Sequence, residues 1–257
     1  MEQFVCLSGL PRAGSTLLSA ILSQNPLIHA EGNSAVCQLM WDMYKACLTT
    51  AKEQLKANGR EITTMQTLLT NIPKLYYNNL AVGEKIVVDK CRSWTMYDNI
   101  FLLEKYVDVN YKIIILERSV TAIVKSFAKL YKANGVGKQN ALENLLIPNS
   151  EPIMRSLAGI NLAKKNNQDN HFLFVKYEDL VSDPADVIKR IYAFCGWAPF
   201  PHDFQNVVCK YPELDEVYGL KGMHQIHETV RPRENAVVLK PKVSDNCAKI
   251  DKLMGYC

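Results

Sequence analysis

The stretch QFVCLSGLPRAGSTLLSAILS, residues 3 to 23, is the best guide to the fold. Phe4 to Leu7 is a short apolar run of strand-forming residues, and residues 9 to 16 follow as a turn that contains two glycines. Leu17 to Leu22 then continues with helical periodicity. A glycine-bounded loop between a strand and a helix is the arrangement in which a glycine spacing of this kind indicates a phosphate-binding loop.

The spacing of this loop is that of a Walker A motif with one substitution. Gly9 is followed by four residues and then by Gly14, Ser15 and Thr16, so Ser15 stands at the position of the usual lysine. That lysine normally reaches the β- and γ-phosphates of a nucleoside triphosphate. Arg12 supplies a planar, bidentate cation at the mouth of the loop instead. We therefore expect a phosphate that carries something other than a phosphate chain.

The backbone of the loop predicts anion binding that does not depend on side chains. Its N–H groups are expected to point inward, at the positive end of the helix that follows. The residues concerned are Ala13, Gly14, Ser15, Thr16 and Leu17.

Length and composition predict one ordinary globular domain over residues 1–257. The chain is 48% hydrophobic and 22% charged, and its length allows a full core. The net charge of +4 suits a small anionic ligand and is too small to predict a nucleic-acid partner. The sequence also has no arginine-rich run and no basic stripe interleaved with aromatic residues.

The ends and the cysteines predict a cytoplasmic protein. The chain enters a strand within three residues, without the pattern of a signal peptide, and no apolar stretch reaches the ~18 residues of a membrane span. The eight cysteines contain no C-x-x-C pair, and most lie in apolar runs. Buried reduced thiols are therefore expected, and no metal site.

Four apolar strands alternate with helical stretches, which predicts a central parallel sheet flanked by helices. The strands are predicted at residues 4–7, 85–90, 111–116 and 171–176. Ligands of such sheets bind at the carboxyl ends of the strands. Residues 9 to 16, Asp89-Lys90, Arg118 and Tyr177 are therefore expected along one edge.

Two regions are predicted to lie outside this α/β core. Residues 33–83 are predicted to form a helical insertion, with helices at about 34–58 and 63–80 that shape an acceptor pocket. Helix and strand signals fade after Trp197, and residues 198–257 are predicted to form an irregular lid.

Three segments resemble the motifs of P-loop sulfotransferases. LSGLPRAGSTLLSAILSQNP, residues 7 to 26, resembles their 5′-phosphosulfate-binding loop. LERSVTAIVKSFAKL, residues 116 to 130, resembles their 3′-phosphate-binding segment. VKYEDLVSDPADVIKRIYAFCGW, residues 175 to 197, resembles their Tyr-Glu-Asp-Leu segment.

The resemblance implies a P-loop NTPase-like three-layer α/β fold and a reaction. Such enzymes move a sulfuryl group from 3′-phosphoadenosine-5′-phosphosulfate (PAPS) to a hydroxyl or an amine, leave 3′-phosphoadenosine-5′-phosphate (PAP), and need no metal. The motifs are closer to the protein-tyrosine and bacterial types than to the cytosolic small-molecule type. A small molecule, a peptide or a carbohydrate is implied as acceptor.

The resemblance also implies nucleotide-binding residues. Arg118 and Ser126 are expected to bind the 3′-phosphate, as an arginine fork and a serine hydroxyl can. Tyr177 is expected near the nucleotide, and Lys240 near the 3′-phosphate. Ser119-Val120 stands where the family commonly has Asp-Pro, so the entry into the next helix is expected to differ.

Catalysis requires cations for the departing phosphate and a base for the acceptor. Arg12 and Lys90 are expected to stabilise the departing phosphate. Glu31 is the expected general base, because tyrosine-protein relatives place a catalytic glutamate near this point of the chain. Histidines remain alternatives, because cytosolic relatives use a histidine as base. They are His29, His224 and His227.

Two other functions remain open. In a P-loop kinase or NTPase, IVVD at residues 86 to 89 or IIILE at 113 to 117 would serve as the Walker B strand, although the missing lysine argues against this. An inactive nucleotide-binding module of the same fold would keep the site without turnover.

Overall fold

The computed structural model describes residues 1–137, 140–166, 170–232 and 236–256. Within these ranges five strands form one parallel sheet in the order β2-β3-β1-β4-β5. The strands are β1 Gln3–Gly9, β2 Ile28–His29, β3 Ile86–Lys90, β4 Ile113–Glu117 and β5 Phe172–Lys176. The predicted parallel α/β sheet and its four main strands are confirmed, and β2 adds a short strand at one edge.

Helices connect the strands and complete the fold. They are α1 Ser15–Leu22, α2 Val36–Leu48, α3 Lys52–Ala57, α4 Glu61–Tyr76, α5 Tyr97–Tyr106, α6 Val120–Ala133, α7 Ala141–Asn144, α8 Met154–Lys165, α9 Tyr177–Ser182, α10 Pro184–Cys195 and α11 Pro241–Met254. Short 3₁₀ helices occupy Arg92–Thr95 and Asp215–Tyr218.

The register of the sheet brings the strand ends to one edge. β1 lies between β3 and β4, where Leu7 pairs with Lys90 and Gly9 pairs with Leu116. The three central strands are apolar and buried along most of their length, as expected for a parallel sheet covered on both faces. Burial of both faces fixes the register, and with it the alignment of the residues that follow each strand.

The first part of the region between β2 and β3 differs from the prediction. The single helix expected over residues 34–58 is two helices, because α2 ends at Leu48 and α3 begins at Lys52. Thr49 and Thr50 separate them, and their hydroxyl groups donate to carbonyl oxygens four residues back, at 2.8 and 3.4 Å. Threonine side chains that bond the backbone in this way compete with helix formation, which accounts for the break.

The end of the chain also differs from the prediction. Residues 198–232 and 236–240 contain only one short 3₁₀ helix, as expected of an irregular segment, but α11 is a regular helix that packs on α6. Its buried residues recur at every fourth position, at Val243, Cys247 and Asp251. Pro241 does not prevent helix formation, because it lies in the first turn of α11, where a proline is tolerated. Residues 233–235 and 257 of this region lie outside the described residues.

Candidate active site

A cavity of about 1020 Å³, partly open to solvent, lies at the carboxyl edge of the sheet. Residues after four strands line it, together with a part of the C-terminal region. They are residues 7–12 and 14–17 at the end of β1 and after it, Lys90 and Arg92 at β3, Arg118 after β4, Tyr177 and Val181 after β5, residues 223–227 and 229–231, and Asn33. This is the position where ligands of open parallel sheets bind.

The lining of this cavity is strongly cationic. Five lysine or arginine side chains border it, and no aspartate or glutamate does so among the described residues. The five are Arg12, Lys90, Arg92, Arg118 and Arg231. A concave surface of one charge sign raises the local concentration of the opposite ion, so this cavity favours a ligand with several negative charges.

The loop after β1 needs its two glycines. A Cβ atom on Gly9, which has a φ of 140°, would lie 2.3 Å from the carbonyl oxygen of Leu116 in β4. A Cβ atom on Gly14, with a φ of 91°, would lie 2.9 Å from the ring of Tyr177. Arg12 adopts a φ of 60°, which is unusual for a residue with a side chain. The loop is therefore held close to β4 and α9 in one conformation.

The start of α1 offers backbone donors to an anion. No side chain caps the helix at Gly14, so the N–H groups of its first turn have no side-chain acceptor there. Ser15, Thr16 and Leu17 lie in this turn and line the cavity. Ala13 differs from the prediction, because it does not line the cavity and its N–H donates to the carbonyl oxygen of Leu10 at 3.3 Å.

Arg118 and Ser126 both contact the loop. Nη1 of Arg118 donates to the carbonyl oxygen of Arg12 at 2.7 Å, and Nε of Arg12 donates to the hydroxyl of Ser126 at 3.1 Å. The guanidinium of Arg118 also lies 4.0 Å from the centroid of the Tyr177 ring. The structure thus brings together four residues that the motifs placed at the nucleotide, although Ser126 contacts Arg12 and does not itself line the cavity.

The two arginines are buried, and the nearby carboxylates, Asp215 for Arg12 and Glu178 for Arg118, do not offset the effect of burial on their pKa values. Burial and the nearby guanidinium of Arg118 lower the pKa of Arg12. Nε of Arg118 is buried and has no hydrogen-bond partner. A buried charged donor without a partner is costly, and an anion between the two guanidinium groups would satisfy it.

Lys90 borders the cavity, and its side chain is buried and paired. Its Nζ atom lies 2.5 Å from Oε1 of Glu213, and both side chains are less than 10% exposed. Glu213 also lies 3.5 Å from Nε2 of His224, whose Nδ1 atom is 2.7 Å from Asp215. Burial acts to raise the pKa of Glu213, but Lys90 and His224 outweigh it and hold the pKa below its usual range.

His224 lines the cavity and carries an oriented imidazole. Its ring contacts Tyr218, and the backbone N–H and Nδ1 of His224 both bind Asp215. Burial lowers the pKa of His224 and outweighs the opposite effects of Glu213 and Asp215, so the neutral imidazole is favoured near neutral pH. With Nδ1–H donating to Asp215, Nε2 carries the lone pair that can accept a proton.

Glu31 lies elsewhere. It borders a smaller space beside Lys90 and Thr16, outside the lining of the large cavity, and its Oε2 atom is 3.3 Å from Nε2 of His29. Nδ1 of His29 is 2.9 Å from Glu84. Burial acts to lower the pKa of His29, but the two carboxylates outweigh it and raise the pKa. The expected base is therefore bonded to a histidine outside the large cavity.

Lys240 also differs from the prediction. It is exposed at the start of α11 and does not line the cavity. The helix acts through Asp251, whose carboxylate accepts hydrogen bonds from the backbone N–H groups of Val120 at 2.5 Å and Thr121 at 3.1 Å, and from the hydroxyl of Ser119 at 3.1 Å. A carboxylate from α11 therefore caps the start of α6 at Ser119, Val120 and Thr121.

Sequence reasoning missed Glu213, Asp215 and Arg92. The two carboxylates follow Pro212 in a segment without periodic apolar residues, so no pattern connected them to Lys90. Arg92 borders the cavity, and its Nε is buried without a hydrogen-bond partner. Its place directly after β3 is the signal that could have identified it, because residues after parallel strands lie at the ligand-binding edge.

Two other features concern the described part of the chain as a whole. No cluster of three or more potential metal ligands occurs in it. Nor does any described helix have the length and apolar character needed to span a bilayer.

Comparison with known proteins identifies relatives of one kind. Residues 5–202 match the model of a family described as the sulfotransferase family. A flavonol sulfotransferase-like protein of Flaveria bidentis is 23% identical over 246 residues, which cover 89% of this chain and 69% of that protein.

Solved structures share the fold at low sequence identity. The sulfotransferase domain from the curacin biosynthetic pathway aligns with a TM-score of 0.60 and 18% identity, over 99% of this chain and 97% of that one. The sulfotransferase domain of the Synechococcus PCC 7002 olefin synthase aligns with a TM-score of 0.61 and 17% identity, over 99% and 95%. A sulfotransferase of Alicyclobacillus acidocaldarius gives 0.55 and 13%, over 100% and 96%.

Proposed function

This chain belongs to the sulfotransferase family, and on that basis we propose that it transfers a sulfuryl group from PAPS to a hydroxyl or amine acceptor. The contact between Arg118 and the carbonyl oxygen of Arg12 carries this proposal. It brings the arginine after β4 to the loop after β1, so that one molecule with an anionic group at each end can contact both.

The residues of the cavity fit such a donor. The N–H groups at the start of α1 and the side chain of Arg12 would hold the 5′-phosphosulfate. Arg118 would hold the 3′-phosphate with its unpartnered Nε, and Ser126 would keep Arg12 in place. The absence of carboxylates from the described lining supports the same ligand, because PAPS carries several negative charges. When bound, PAPS supplies the sulfuryl group as an activated phosphosulfate.

Lys90 and His224 are the residues best placed for catalysis. Both border the cavity, and the ammonium group of Lys90 would stabilise negative charge on the departing phosphate. Nε2 of His224 would accept the proton of the acceptor hydroxyl while Asp215 holds Nδ1–H. We favour His224 over Glu31 as the base, because His224 borders the large cavity and Glu31 does not.

Residues 198–257 would serve as a lid within a single domain. The two ends of the segment 207–228 lie side by side. The N–H of Val207 donates to the carbonyl oxygen of Glu228, and the N–H of Val230 donates to the carbonyl oxygen of Phe204. The side chain of Arg12 donates to the carbonyl oxygen of Met223, and Lys90 pairs with Glu213. Contacts of this kind would exclude water from the reacting groups.

Calorimetry followed by a transfer assay tests the function. We expect PAP to bind without a metal ion, and ATP–Mg²⁺ to bind more weakly or not at all. Binding of ATP–Mg²⁺ with no response to PAP would support a P-loop kinase or NTPase and reject the PAPS proposal. A screen with ³⁵S-labelled PAPS across small alcohols, phenols, peptides and carbohydrates would then identify the acceptor. PAP binding without transfer to any class would indicate an inactive binding module.

A further inference from the structure

Glu213 is the centre of a buried polar cluster that no motif identifies. Its Oε1 atom lies 2.5 Å from Nζ of Lys90 and 3.5 Å from Nε2 of His224. Its Oε2 atom accepts hydrogen bonds from Asn33 at 3.0 Å and from Tyr218 at 3.3 Å. Only 8% of the Glu213 side chain is exposed. Three donors, on Lys90, Asn33 and Tyr218, thus hold this carboxylate in a fixed position beside the Nε2 atom of His224.

Glu213 does not border the large cavity, whereas Lys90, His224 and Asn33 do. Its carboxylate therefore lies behind the groups that face a substrate. The arginine side chains that line the cavity repel the ammonium group of Lys90. The carboxylate behind it compensates that charge and keeps Lys90 at the end of β3.

We propose that Glu213 is a positioning residue for sulfuryl transfer: its carboxylate fixes the ammonium group of Lys90 and favours the imidazolium form that His224 adopts when Nε2 accepts a proton. The inference rests on the proposed function, since that function gives Lys90 and His224 their roles. One segment carries Glu213, Asp215 and His224, so the same segment places the base and completes the surroundings of Lys90.

The charges around His224 give this role a measurable consequence. Asp215 faces Nδ1, Glu213 and Lys90 face the Nε2 side, and the ring of Tyr218 lies 5.4 Å away. The two carboxylates favour the imidazolium form, and Lys90 opposes it. Without the charge of Glu213, the ammonium group of Lys90 would act on His224 without a carboxylate between them. The imidazole would then accept a proton less readily.

The test compares Glu213→Gln with Glu216→Gln. Glu216 is an exposed carboxylate three residues along the same segment, so it controls for the loss of one negative charge from this region. The pKa of His224 is measured in each protein by NMR of ¹³C-labelled histidine, with the resonance assigned by its absence from His224→Gln. We expect Glu213→Gln to lower the pKa of His224 and Glu216→Gln to leave it unchanged. Equal pKa values in the wild type and Glu213→Gln would overturn the inference.

Glu213→Asp covers the case in which Glu213→Gln does not fold. Aspartate keeps the charge but withdraws it from Lys90 and His224, so the pKa of His224 should fall relative to the wild type. No shift in a folded Glu213→Asp protein would also overturn the inference. With an acceptor in hand, the pH profile of turnover should move to lower pH in Glu213→Gln while PAP affinity is retained; a uniform loss of turnover without displacement would contradict a positioning role.

Failure of the proposed function would be recognised separately. Calorimetry with PAP is performed on the same wild-type and variant proteins. If the wild-type protein does not bind PAP, the donor assignment fails, whatever the histidine titration shows. If PAP binds and the His224 pKa is indifferent to residue 213, the donor assignment stands and the role of Glu213 fails.

Discussion

Nη1 of Arg118 donates a 2.7 Å hydrogen bond to the carbonyl oxygen of Arg12. The two residues are 106 positions apart in the sequence, yet this bond joins the end of β4 to the loop after β1. The bond uses one donor of the guanidinium and leaves Nε without a partner. Arg118 therefore supports the loop through one nitrogen and can bind an anion through another.

The first prediction concerns Arg118. Arg118→Ala should weaken PAP binding by about 1.5–3 kcal/mol, because a hydrogen bond to a charged group contributes about this much. Calorimetry with PAP measures the loss. Arg60→Ala serves as a control, since Arg60 is exposed and does not border the cavity. An affinity for PAP that is unchanged by Arg118→Ala would show that Arg118 is not part of the proposed nucleotide site.

The second prediction separates the two candidate bases. His224→Gln should lower turnover ~100-fold or more and leave PAP affinity unchanged, as expected when a general base is lost. Glu31→Gln should have a much smaller effect, because Glu31 lies outside the large cavity. Turnover is measured with the acceptor that the sulfate-transfer screen provides. The reverse result, a large loss with Glu31→Gln and normal turnover with His224→Gln, would restore the glutamate as base.

The third prediction concerns the backbone at Gly9. Gly9→Ala should destabilise the protein by ~3 kcal/mol or more, because the added Cβ atom would meet backbone atoms of Leu116 that the sheet holds in place. Gly59→Ala is the matched control, since Gly59 also has positive φ but has no atom within 4 Å of the added carbon. Its cost should be about 1–2 kcal/mol. Urea unfolding measures the loss of stability in each variant. Equal losses would contradict the prediction and show that β4 shifts to accommodate the added methyl group.

The fourth prediction concerns pH and Glu84. Burial acts to raise the pKa of Glu84, but Lys210, Tyr211, the N–H of Ala81 and His29 together lower it to about 2. Because the unfolded state takes up a proton at higher pH than the folded state, the stability contributed by this carboxylate is complete above about pH 4.5 and is lost as pH falls toward 2.

The effect of Glu84 is measured as a difference between proteins. The gap in unfolding free energy between the wild type and Glu84→Gln should be largest near pH 6 and should shrink as the pH falls below about 4.5, the ordinary pKa of a glutamate. Glu53→Gln provides the control, because Glu53 is exposed on α3. A gap that stays constant as the solution is acidified would show that Glu84 is not held as a charged group.

Much of the fold could be predicted because its signals are local. The glycine spacing after β1 and the apolar runs of the main strands are short stretches of sequence, and parallel pairing follows from their alternation with helices. The break between α2 and α3 was missed because it depends on hydroxyl bonds of Thr49 and Thr50 that helical periodicity does not record. The helix α11 was missed because three apolar or acidic residues spaced four apart are a weak pattern.

The amino-acid sequence alone was enough to predict an α/β protein with a glycine-bounded loop after its first strand, and it indicated Arg12, Lys90 and Arg118 at one edge of the sheet. Those residues lie at or just after the ends of strands, so their position depends mainly on strand order and register. The tertiary structure was needed to show which carboxylate pairs with Lys90, that His224 borders the cavity, and that Glu31 contacts His29. Glu213 lies 123 positions from Lys90 in a segment without regular secondary structure, and such a segment is positioned by long-range contacts that no local pattern encodes.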